Sequence, residues 1–260
     1  MSSYFKNGFA VSNLQSLRLK LLEINGLLGR LLNLDPTDIG FFGNVHKELE
    51  IKFNCRDSYF GFLKAFTNSP IVQSVSADPE LLAFVADCGI KIPSLVTPPI
   101  LHVVANELIV DESKVFTPSH QDVVSTKGSV GQVVVWIPLH DIGENNFGIS
   151  AIPGSHKLGL LETEHSGFGH TVKSDLIKDL ASEYISLRFG DAVVFSQYLV
   201  HQTHTTGTFR MALSFRFNDM EDSSWVKRHY FVPFERIAIN TKFEDKRDLP
   251  PVKNLEYFNR

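Results

Sequence analysis

The stretch FRMALSFRFND, Phe209 to Asp219, decides how this chain folds. Phe209, Met211, Leu213, Phe215 and Phe217 alternate with Arg210, Ala212, Ser214 and Arg216. A period of two marks a β-strand whose faces meet different surroundings. The odd face is apolar and belongs against a core. The even face puts two guanidinium groups and a hydroxyl on what is otherwise an interior strand. A buried guanidinium without an anion is costly, so this face needs one. One of the chain's own acids fits that need, as a structural salt bridge. A ligand carboxylate fits it too, since the planar fork of arginine matches a carboxylate with two parallel bonds.

Other short runs rich in Val, Ile and Phe follow Pro93: ILHVVANELIV, GQVVVWIPLHD, FGISAIPGSH and YISLRFGDAVVFSQYLVH. Turn signals at Gly128, Asn145-Asn146, Pro153-Gly154-Ser155, Gly190-Asp191 and Gly207 separate them. Short strands at this spacing predict a sandwich or barrel. KSDLIKDLASEY, Lys173 to Tyr184, reads as a helix or turn among them. Upstream the chain reads as helical. SNLQSLRLKLLEINGLLGRLLNLD spaces Leu14, Leu17, Leu21, Ile24, Leu28, Leu31 and Leu32 by three and four, with Ser12 or Asn13 as cap. Gly26 and Gly29 weaken that helix or admit a close neighbour. DPELLAFVADCG offers Asp78 as N-cap, Pro79 at the first helical position and Gly89 just past the end. DSYFGFLKAFTN is a third helix. The expected fold is mainly β with α, a jelly-roll core under a helical N-terminal layer. We expect one domain over 1–260: 1–92 mostly helical support, 93–220 the jelly roll, 221–260 a C-terminal extension. No internal repeat or separating linker interrupts it.

The chain has 260 residues, 43% of them hydrophobic, enough for a sizeable core. A net charge of −4 and the lack of a long basic run make nucleic acid and anionic membranes poor partners. The short Lys227-Arg228-His229 run reads as a surface turn. Cys55 and Cys88 read as reduced thiols of a cytoplasmic protein. The N-terminal MSSYFKNGFAVSNLQ lacks the apolar run of a signal peptide, and no stretch approaches the ~18 apolar residues of a membrane span.

TPSHQDVVS, Thr117 to Ser125, sets His120 and Asp122 two apart before a β-branched run. In an extended segment such residues point to one side, an imidazole and a carboxylate together. Ten histidines in the chain make about half of one chance match to this triplet, so it needs partners. A further histidine would complete the two-His-one-carboxylate facial triad, which leaves three positions of a six-coordinate iron open. His201, closing the strand DAVVFSQYLVH, and His204 are the candidates.

The order HQD, Trp136 on the next strand, PGSHKLG, FGDAVVF, His201, then Arg210 with Ser214 resembles the phytanoyl-CoA dioxygenase family. These are Fe(II)- and 2-oxoglutarate-dependent oxygenases on a double-stranded β-helix, a jelly roll. The resemblance is strongest from about Pro118 to Asp219. It implies that His120, Asp122 and His201 hold iron and form the catalytic centre, His201 rather than His204. It implies that Arg210 grips the distal carboxylate of 2-oxoglutarate, helped by Thr203 or Ser214. Trp136 would line that pocket, with Gln121 near it. Arg210 follows His201 by nine positions, a shorter spacing than is usual in the family, and His204 stands where members often carry asparagine. Family halogenases lack the iron carboxylate, so Asp122 points to oxygenation. The implied activity is hydroxylation of a small molecule with O2, releasing succinate and carbon dioxide. The alternative is a non-oxidative cupin-like isomerase or a metal- or ligand-binding module, which has no need of Arg210.

Other polar features read more plainly. His46 with Glu48 reads as surface, His140 as a turn-capping or solvated histidine, and His102 as a satisfied core histidine near the pocket. Ser155 and His156 of PGSH are expected to make local bonds in a bend. Leu160 to Leu176 is either an ordinary loop or a flexible lid over the substrate. Asn106 and Lys114 are further pocket candidates.

Overall fold

The computed structural model describes residues 3–53, 55–106, 116–166, 169–230 and 252–253. Helices come first: α1 (Ser3–Asn7), α2 (Gln15–Leu32), α3 (Phe41–Lys52), α4 (Arg56–Thr67), α5 (Pro70–Gln73) and α6 (Pro79–Asp87). α2 buries Leu17, Leu21, Ile24, Leu28 and Leu32, following the spacing in the sequence. Its start departs from expectation. Ser12 and Asn13 lie in a strand, β1 (Phe9–Asn13), and Leu14 takes the N-cap position with no side-chain bond. Strand pairing satisfies a whole row of backbone groups and so outweighs a single cap. The Asn13 amide bonds to Asp191 at 2.7 Å instead. Gly29 does admit a close neighbour: a Cβ there would stand 2.6 Å from the Leu34 carbonyl oxygen. In α6 the expected signals hold. Asp78 accepts from the N–H groups of Glu80 and Leu81, and Gly89 follows the end with φ of 101°.

The strands after the helices are β2 (Pro93–Leu95), β3 (Ile100–Ala105), β4 (Val133–Pro138), β5 (Ile149–Ala151), β6 (Thr163–Ser166) and β7 (Gly169–Val172). Then come β8 (Glu183–Ile185), β9 (Asp191–Ser196), β10 (His201–Thr203) and β11 (Phe209–Asp219). The large sheet runs β1-β9-β4-β11-β2, with β3 also on β11; the small sheet runs β10-β5-β8, and β6-β7 is a hairpin. The pairings are antiparallel. The two sheets face each other as a jelly roll. Lys173 to Ser182 is turn-like, with one 3-10 turn at Ser174–Leu176.

One strand expectation is corrected. DAVVFSQYLVH is not a single strand: β9 ends at Ser196, and a turn closed by the Leu199 N–H on the Ser196 carbonyl carries the chain to the small sheet. His201 therefore opens β10, in the opposite sheet.

The central strands are covered on both faces. Val133, Val135 and Ile137 of β4, Ala192 and Val194 of β9, and Met211, Leu213, Phe215 and Phe217 of β11 pack with the helices. Val134, Trp136, Val193, Phe195 and Ala212 turn the other way, into a second core shared with Ile149, Ala151 and Ile185 of the small sheet. The period of two thus sorts each strand between a helix-facing and a sheet-facing layer. Both cysteines are free, and burial pushes the Cys88 thiol up to about 12. Among the described residues no helix is long and apolar enough to cross a membrane.

Candidate metal centre and cosubstrate pocket

His120 and His201 are brought together by main chain. Each donates its N–H to the other's carbonyl, at 3.0 and 3.1 Å, in an isolated antiparallel bridge. Their rings lie 4.2 Å apart between centroids. Asp122 joins them by a different route from the one expected. It is not extended: φ of −65° and ψ of −26° start a short helix, α7 (Val123–Thr126). The β-branched run therefore continues as a helical turn, whose N–H groups at Ser125 and Thr126 close on the Asp122 carbonyl at 3.0 Å. The Asp122 side chain makes no cap bond and stays available.

The three ligand atoms lie within 4.8 Å of one another. His120 Nδ1 stands 2.8 Å from the Pro118 carbonyl and His201 Nδ1 3.0 Å from the Leu199 carbonyl. A carbonyl only accepts, so each Nδ1 carries a proton, and Nε2 is the ring atom each histidine can offer a metal. Both Nε2 atoms face Asp122 Oδ1, at 3.2 Å from His120 and 4.0 Å from His201. Two ring nitrogens and one carboxylate oxygen converging in this way make a donor set for a divalent cation, and it fits iron. Burial would raise the Asp122 carboxyl, but Arg216 and then the two histidines hold it well below the usual carboxylate range. Burial, then the neighbouring His120, lowers His201 to about 4, which favours the neutral ring a metal requires.

A cavity of about 340 Å³ opens beside the triad, between the two sheets. Trp136, Ile149 and Phe195 form its apolar wall. Arg210, Ser214 and Arg216, the even face of β11, point into it with His102. Arg210 is buried, 5.8 Å over the Trp136 ring, and one Nη donates to the Phe147 carbonyl at 2.6 Å. Its Nε is buried with no hydrogen-bond partner among the described residues. Burial lowers Arg210 to about 10, so it keeps its charge at neutral pH. Arg216 instead pairs with Asp122 at 3.2 Å. The two arginines thus divide between the two anions the sequence left open, an internal acid for one and a free cavity for the other.

The phytanoyl-CoA dioxygenase model matches residues 51–212, well over half of the chain. The chain belongs to the phytanoyl-CoA dioxygenase family. As a member it is a non-haem iron, 2-oxoglutarate-dependent enzyme of the oxygenase type. No curated protein matches it by sequence. Solved structures share the jelly-roll fold of this family member. The non-haem monooxygenase ThoJ, in its apo form, is 17% identical with a TM-score of 0.58, over 84% of this chain and 76% of that one. The epimerase SnoN from nogalamycin biosynthesis, with Fe3+, alpha-ketoglutarate and nogalamycin RO, is 15% identical with a TM-score of 0.55, over 84% and 81%. EctD from S. alaskensis, with 2-oxoglutarate and 5-hydroxyectoine, is 14% identical with a TM-score of 0.55, over 85% and 75%.

The remaining candidates of this phytanoyl-CoA dioxygenase family member sort by position. Thr203 on β10 lines the cavity, and its hydroxyl accepts from the Thr117 N–H at 3.4 Å. Gln121 touches the cavity but is engaged elsewhere: its amide donates to the Gly159 and Tyr198 carbonyls, and its oxygen accepts from Leu161. His204 is outside the triad; its Nδ1 lies 3.2 Å from Ser150 Oγ and its ring 4.7 Å from that of Tyr184. His102 Nε2 meets Ser214 Oγ at 2.9 Å, a satisfied histidine on the cavity wall.

His140 caps its turn through Nδ1 on the Asp141 carbonyl, and Nε2 accepts the Met211 N–H at 3.2 Å. His46 is not at the surface: it is buried with Phe41, Val45 and Leu49 on the inward face of α3. The main chain of PGSH makes local bonds, the Ser155 N–H on the Ile152 carbonyl and the Gly159 N–H on the His156 carbonyl, both at 3.2 Å, whereas its side chains reach far. Ser155 Oγ accepts the Val200 N–H at 2.9 Å, and His156 Nε2 donates to the Phe5 carbonyl at 3.3 Å. The loop after Leu160 holds the β6-β7 hairpin, tied to the chain beside His120 by the Val172 N–H on the Ser119 carbonyl at 2.8 Å. Gly169 and His170 of that hairpin line the cavity, residues that the sequence placed only within a loop or lid over Leu160 to Leu176. Asn106 is exposed, and Lys114 lies outside the described residues.

Proposed function

We propose that this protein is a hydroxylase of a small molecule, using Fe(II), 2-oxoglutarate and O2 and releasing succinate and carbon dioxide. One observation carries the reading: the His120, Asp122 and His201 triad shares a cavity with a buried, charged Arg210 whose Nε has no hydrogen-bond partner among the described residues. In this reading His120, Asp122 and His201 hold iron, and Arg210 receives the distal carboxylate of 2-oxoglutarate, with Thr203 and Ser214 beside it. Bound iron and 2-oxoglutarate together would supply the oxidative decarboxylation that arms O2 for attack on a C–H bond. The chain's own part is placement and dryness. Val134, Trp136, Ile149 and Phe195 line the cavity with apolar surface that keeps water out. We read 1–260 as a single oxygenase domain whose helices brace the large sheet, and the two free thiols fit a cytoplasmic location.

The test is succinate release from purified protein with Fe(II), 2-oxoglutarate and O2, followed by a substrate screen reading release above the uncoupled background. Incorporation of labelled oxygen from O2 into product marks hydroxylation. Protein that binds neither iron nor 2-oxoglutarate overturns the reading. Metal binding without decarboxylation under any substrate assigns the non-oxidative alternative.

A further inference from the structure

Arg216 stands directly behind Asp122, one of the three candidate metal ligands. It lies six residues beyond Arg210 on the same face of β11, about 20 Å along an extended strand, so the two cannot serve one anion. Both Nε and one Nη of Arg216 converge on a single oxygen of Asp122, Oδ2, each at 3.2 Å. Its other Nη reaches Ser214 Oγ at 3.5 Å, and Ser214 in turn meets His102 Nε2 at 2.9 Å. The second carboxylate oxygen, Oδ1, is the one turned to the histidines. Among the described residues the partners of this carboxylate are Arg216, His120 and His201. The geometry points to Arg216 as a positioning residue that occupies Oδ2, so that Asp122 meets a metal through Oδ1 alone.

The inference rests on the triad being the metal site. A carboxylate with both oxygens free can chelate, and chelation would take a position that a facial triad must leave open for cosubstrate or O2. The Nε hydrogen bond and the adjacent Nη charge at Oδ2 hold that oxygen on the guanidinium side as well as offsetting its charge. Partners of this kind behind a metal ligand are worth about 10- to 100-fold in affinity. Ser214 and His102 steady the guanidinium from its far side.

The test uses the full chain with Co(II) as an oxygen-stable probe, comparing wild type with Arg216→Lys and Arg216→Met. Lysine keeps the charge and loses the two-pronged grip, whereas methionine loses both. Co(II) affinity is expected to fall about ten-fold or more in both variants, with the apo melting temperature of Arg216→Lys close to that of wild type. The Co(II) absorption spectrum of Arg216→Lys should also change, as the carboxylate is freed to chelate. Wild-type affinity and spectrum in Arg216→Lys overturn the proposal, because charge alone would then suffice. Should Arg216→Met fail to fold, Arg216→Lys decides. If wild type itself binds no Co(II), or binds it no better than His201→Ala does, the metal-site reading has failed rather than the role of Arg216.

Discussion

The two faces of β11 use the same backbone for opposite ends. Met211, Leu213, Phe215 and Phe217 meet the helices and need only volume and dryness. Arg210, Ser214 and Arg216 look into the cavity and each needs a particular partner. An apolar face tolerates exchange of one shape for another of similar size, whereas a buried polar face is only as good as its pairings. Stability and chemistry are thereby written on alternate residues of one strand and should be separable by substitution.

The largest effect should come from the triad: His201→Ala or Asp122→Ala abolishes metal binding by calorimetry while the protein stays folded. On the helix-facing side, Phe215→Ala should cost about 3–5 kcal/mol in denaturant unfolding while the folded fraction still binds metal. Back in the cavity, Arg210→Met should weaken 2-oxoglutarate about 10- to 100-fold, the worth of a charged hydrogen bond, with metal affinity nearly unchanged. A strand whose faces were not separable would show metal affinity moving with Phe215 or stability collapsing with Arg210.

Acid gives a smaller, graded test on the apo protein. Burial lowers His102 to about 3 and His140, His156 and His201 to about 4. Their unfolded values lie near 6.5, so between about pH 6.5 and 4 the unfolded chain binds more protons and stability falls as pH falls. The urea midpoint should drop from pH 7 to pH 5, and a midpoint that held or rose would contradict neutral buried rings. Least of all, His204→Ala should leave metal affinity within about two-fold of wild type, its ring being turned toward Tyr184.

Much of this was legible in sequence because it depends on period. The alternation of β11, the three-and-four spacing of α2 and the cap signals of α6 are local and were read directly. What escaped depends on where the chain turns. The break after Ser196 is set by long-range pairing of β10 with β5, which no residue in SQYLVH announces. Asp122 escaped for the opposite reason: a local helical turn closes on its own carbonyl where the β-branched run reads as strand. His46 was misread because burial of a polar residue depends on what packs over its helix face. The Arg216 pairing was open for a related reason: alternation gives the face of a side chain but not which of two arginines finds an acid.

The bonds from His120 and His201 to the carbonyls of Pro118 and Leu199 carry a consequence for how this protein can diverge. Ring orientation and tautomer are dictated by peptide groups, which every residue type possesses. No exchange of side chain at positions 118 or 199 deletes those acceptors. The cavity wall is therefore free to be rewritten for a new substrate over many generations while the aim of the two imidazoles is inherited intact.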